Sequence, residues 1–131
     1  LEYVPAAQVP DILHHSAVLL LLTNLPSESK ANGIMTTKFF EYLAVGKPIL
    51  CVRSDESFLA TALAESRAGV SARTGEEAAD FLQAQYRVWE SSGRTAVRVP
   101  AEVLHRYSRR EQAGTFAGLL DRLTGEEGVR P

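Results

Sequence analysis

The sequence predicts an α/β domain built on a parallel sheet, and three observations carry that prediction. Ala17 to Thr23 (AVLLLLT) and Pro48 to Arg53 (PILCVR) are short, unbroken apolar runs, the pattern of strands buried on both faces. Helix-length segments with recognisable start and stop signals lie around them. Strand and helix alternate through the first half of the chain, which favours parallel pairing through right-handed crossovers.

In chain order, LEYVP (1–5) reads as a short strand stopped by Pro5, which cannot donate to a central ladder. Gln8 to Ser16 reads as a short helix with Pro10 in its first turn, where a missing N–H costs little. The strand Ala17–Thr23 follows, and then NLPSESKANG, Asn24 to Gly33, a polar loop. Thr36 to Val45 is a helix ended by Gly46, with Pro48 two residues later. After the strand Pro48–Arg53, Ser57 to Ser66 is helical and Ala68 to Ala72 (AGVSA) is a weak strand. Thr74 and Glu77 make a capping box for the helix EEAADFLQAQYRVWESS. Val99 to Tyr107 is a further short helical piece. Ser108 and Glu111 form a second capping box, opening a last helix that ends near Gly125. The expected organisation is one domain over 1–125 and a frayed tail over 126–131.

Composition bounds the function. A chain of 131 residues, 45% hydrophobic and 23% charged, can bury a sizeable core. A formal net charge of −2 supplies no bulk attraction for nucleic acid. The single cysteine, Cys51, cannot form an internal disulfide, which suits a reducing compartment. The longest apolar run, Ala17 to Leu22, is far shorter than the ~18 residues that suggest a membrane span. The first residue is Leu1 rather than Met, so a fragment of a longer protein is expected.

Chemistry concentrates around Glu41, a carboxylate set in KFFEYL. On a helical wheel Phe39, Phe40, Leu43 and Ala44 share the core arc, and Glu41 points away beside Lys38 and Val45. One reading is a solvated ion pair between Lys38 and Glu41, worth only ~0.2–0.5 kcal/mol. The other comes from context. In open α/β sheets, ligands sit outside the carboxyl ends of the strands. A helix N-terminus there presents unpaired N–H groups and a positive dipole end to a diphosphate. A carboxylate one turn further in accepts from a ribose diol, and Lys38 adds a point charge.

The series YVP, SAVLLLLT and NGIMTTKFFEYLAVGKPIL resembles the C-terminal, nucleotide-sugar-binding half of GT-B glycosyltransferases, closest to family 4, or group 1. Lys38 to Leu50 is its most specific part, and YSRREQA, Tyr107 to Ala113, resembles the opening of that family's last helix. The resemblance implies a Rossmann-like parallel sheet flanked by helices, forming part of the C-terminal lobe. It implies Glu41 on the ribose hydroxyls, and Met35, Thr36, Thr37 and Lys38 towards the sugar and diphosphate. Tyr3, Val4 and Pro5 would lie against the nucleobase, although ordinary strand packing is the competing reading of Tyr3. The family often has Glu, seven residues, Glu; here Gly33 holds the first position, leaving backbone approach in place of a contact to the sugar.

No metal and no cofactor are expected, the nucleoside diphosphate sugar being substrate. No catalytic residue is identified, because the resemblance implies a separate N-terminal acceptor domain, and the fragment alone is expected to be inactive. The full enzyme is expected in the cytoplasm, with peripheral membrane association, in glycan or cell-surface polysaccharide assembly. A sheet edge left open by missing strands offers a route to a homo-oligomer.

The other chemistry-bearing residues carry less. His14 and His15 are adjacent rather than i, i+4, and with His105 they make a poor metal set. Cys51 reads as a small core hydrophobe. Phe81, Leu82, Tyr86, Val88 and Trp89 read as helix packing or a surface for an absent domain. Arg106, Arg109 and Arg110 read as a solvated helix start or a patch for phosphate or anionic lipid. Asp55 and Glu56 suit a helix start after the second apolar strand. Two rival readings remain: a non-catalytic interaction module, receiver-like or a degenerate nucleotide-binding domain, and a GT-B-fold sugar-nucleotide epimerase. A receiver needs a clustered acidic pocket, for which Asp55 alone is thin support.

Overall fold

A computed structural model describes residues 3–22, 36–52 and 57–125. The loop 24–33, the acidic pair Asp55–Glu56, and the tail 126–131 lie outside the described residues, as do Leu1 and Glu2 of the first expected strand. The chain separates into two compact units, Leu1–Val99 and Pro100–Pro131.

In the first unit a 3-10 turn (Ala6–Gln8) leads into α1 (Val9–His15), β1 (Leu19–Leu22), α2 (Thr37–Val45) and β2 (Ile49–Val52). These are followed by α3 (Ser57–Ser66), β3 (Gly69–Ala72) and α4 (Gly75–Ser92). The described strands form one parallel sheet in the order β1-β2-β3, with Leu19 opposite Ile49 and Ile49 opposite Gly69. This is the α/β arrangement with a parallel sheet that the alternation of apolar runs and helices predicts, and the Rossmann-like form that the resemblance implies. Helix α2 packs against β1, α3 against β3, and α4 against β2 and β3.

The core follows from strand alternation. Leu19, Leu21, Ile49 and Cys51 all point to one face of the sheet and are buried, together with Phe39 and Leu43 of α2 and Leu59 and Leu63 of α3. Phe40 packs edge-on to Phe39, the ring centroids 5.5 Å apart. The turn between α2 and β2 requires glycine, because Gly46 adopts φ +70° and its N–H donates to the Tyr42 carbonyl, 3.3 Å. At Gly69 the constraint is space: a Cβ there would collide with the backbone of Ile49.

Three sequence expectations need correction. β1 is not buried on both faces, since Leu20 is 52% and Leu22 67% exposed. The cause is its marginal place among the described strands: α4 packs on β2 and β3, and on β1 alternate leucines face water. Tyr3, Val4 and Pro5 form no strand, and Tyr3 is 91% exposed, which removes strand packing as its role. Pro5 instead begins a turn, its carbonyl accepting from Gln8 N–H at 2.9 Å. Ala44 lies on the exposed side of α2 rather than in the core arc, at the margin of the wheel sector that Phe39 and Leu43 define.

The α4 start is capped by Thr74, and the return bond from Glu77 goes to the residue before the N-cap, not to Thr74 itself. Thr74 Oγ1 accepts from Glu77 N–H at 3.1 Å, and the Glu77 carboxylate accepts from Arg73 N–H at 2.7 Å. Beyond α4, Thr95 is buried and its hydroxyl donates to the Ala17 carbonyl, while Val97 N–H donates to the Gly46 carbonyl at 3.2 Å. These two bonds strap the segment after α4 to the start of β1 and the end of α2. Tyr86 and Trp89 stand half-exposed on α4, ring centroids 5.9 Å apart, beside a small groove with Ala17 and Val18.

The second unit contains α5 (Ala101–Arg106) and α6 (Arg109–Thr124). Ser108 caps α6, its Oγ accepting from Glu111 N–H at 3.2 Å, and Gly125 closes it at φ +72°. The Glu111 side chain pairs with His105, 3.5 Å away, on the exterior. Among the described residues no helix is long and apolar enough to cross a membrane.

Candidate functional site

Helix α2 lies between two parallel strands, so its N-terminus is at the carboxyl end of the sheet. Thr36 is the N-cap residue, with φ −67° and ψ 139°, and its side chain makes no capping bond. The first turn carries no acidic residue, and Thr37 and Lys38 are exposed. The helix start therefore has its positive dipole end with no acidic side chain in its own first turn, and of the first-turn N–H groups that of Phe39 donates to the Thr36 carbonyl at 3.1 Å.

Glu41 sits one turn further along α2 and is exposed. It makes no ion pair with Lys38, so the solvated-pair reading has no counterpart in the structure. Glu41 instead forms a wall of a groove of about 520 Å³ between α1 and α2. Val45, one turn below on the same helix side, continues that wall, and Ala6, Val9, Pro10 and Leu13 supply the other. The volume falls in the ~300–1,000 Å³ range of small-molecule sites, which are mostly apolar with a few placed polar groups.

The structure thus brings Glu41 together with α1, and leaves Thr36, Thr37 and Lys38 one turn away, outside the described groove lining. Tyr3, Val4 and Pro5 immediately precede Ala6 at the groove's edge and do not line it themselves. Gly33 and Met35 lie outside the described residues. Ala6, Val9, Pro10, Leu13 and Val45 were missed as site residues. The i, i+4 spacing of Val9 and Leu13 was the available signal, and it reads equally as core packing.

The remaining candidates separate from this site. His15 Nδ1 donates to the Asp11 carbonyl at 2.7 Å within α1, and Cys51 is buried in the sheet between Leu21 and Ser71.

Three parallel strands, with a helix start at their carboxyl ends, define an α/β domain of Rossmann-like kind. The chain matches the family described as glycosyl transferase-like over residues 1–116, and it belongs to that family. No curated protein and no solved structure matches it.

Proposed function

We propose that this domain holds the nucleoside diphosphate sugar donor of a GT-B glycosyltransferase, which moves the sugar to an acceptor in glycan or cell-surface polysaccharide assembly. The observation that carries the reading is Glu41 on a groove wall one turn from the start of α2. In this arrangement the Glu41 carboxylate accepts from the ribose diol. The first-turn N–H groups of α2, with Lys38, meet the diphosphate. Thr36 and Thr37 add hydroxyl donors there, Met35 adds its backbone N–H, and Gly33 permits close backbone approach. The base lies towards Tyr3, Val4 and Pro5 and the adjoining α1 wall. Transfer itself requires an acceptor held in line with the donor across a closed cleft, which is the task of a separate acceptor-binding domain. Donor binding needs no metal in this scheme, because backbone and Lys38 donors supply the positive field.

Calorimetry with uridine and guanosine diphosphates tests the reading, each compared with its 2′-deoxy analogue. Binding of a ribonucleotide that weakens on loss of the 2′-hydroxyl is the expected result. Absence of binding by every nucleotide would return the domain to the interaction-module class.

A further inference from the structure

We draw no further inference here: the strongest candidate, the small apolar groove in which Tyr86 and Trp89 of α4 stand half-exposed beside Ala17 and Val18 just ahead of β1, carries nothing because nothing in the structure shows what covers it.

Discussion

Leu21→Ala and Leu20→Ala are neighbouring changes in one strand with opposite expected consequences. Leu21 has 0% exposure and stands opposite Cys51, itself fully buried. Truncation there removes transfer free energy and leaves a cavity that a sheet-and-helix core closes only in part, costing ~2–5 kcal/mol. Leu20 points to the other face and is 52% exposed. Complete burial of a leucine side chain is worth ~1.5–3 kcal/mol, so about half of that is at stake, with no enclosed cavity: roughly 1 kcal/mol. At 67% exposure, Leu22→Ala should cost less again.

Urea denaturation of the three variants under one set of conditions reads these costs as midpoint shifts. With m near 1–3 kcal/mol/M for a chain of this kind, Leu21→Ala should unfold roughly 1–2 M earlier than Leu20→Ala, at unchanged m. Equal costs at positions 20 and 21 would refute the reasoning. They would mean that the second face of β1 is covered in solution, as an unbroken run of leucines by itself predicts.

The remaining predictions concern the site, the sheet and a helix cap. Glu41→Ala should weaken ribonucleotide binding ~10–100-fold, the ~1.5–3 kcal/mol of hydrogen bonds to a charged group, and calorimetry reads it. Its unfolding midpoint should stay within the ±0.5 kcal/mol usual for surface changes. Gly69→Ala should cost ~3 kcal/mol or more, because the added methyl meets the Ile49 backbone, which has no alternative rotamer; loss of soluble protein or a large midpoint shift checks it. Thr74→Ala should cost ~1 kcal/mol by removing the acceptor for Glu77 N–H at the start of α4, seen as a lower thermal midpoint.

Helix signals were the most legible part of the chain, because each is written in a few adjacent residues. Gly46 and Gly125 stop α2 and α6 in the left-handed conformation, and Thr74 and Ser108 cap α4 and α6 through their hydroxyls. Their geometry depends on neighbours three or four positions away, so the sequence contains it. Burial of β1 was less legible because it depends on what packs above each face. AVLLLLT carries no alternation, yet Leu20 and Leu22 face water while Leu19 and Leu21 do not. The described part of LEYVP, Tyr3 to Pro5, forms no strand for a related reason: strand-forming residues need a ladder partner, and Pro5 together with two alanines instead supports a 3-10 turn.

The candidate site divides in the same way. That Glu41 leaves the core side of α2 follows from the 3.6-residue period alone. That it faces α1 does not, because a helix wheel gives direction without saying what occupies it. The structure adds a further point about energy. Glu41 makes no ion pair with Lys38, and Thr36 begins α2 without a side-chain cap. Folding gains little from either side chain, so substitutions there separate binding from stability. For that reason Glu41→Ala is informative: with the core of Phe39 and Leu43 untouched beneath it, a lost nucleotide belongs to the carboxylate and not to a damaged helix.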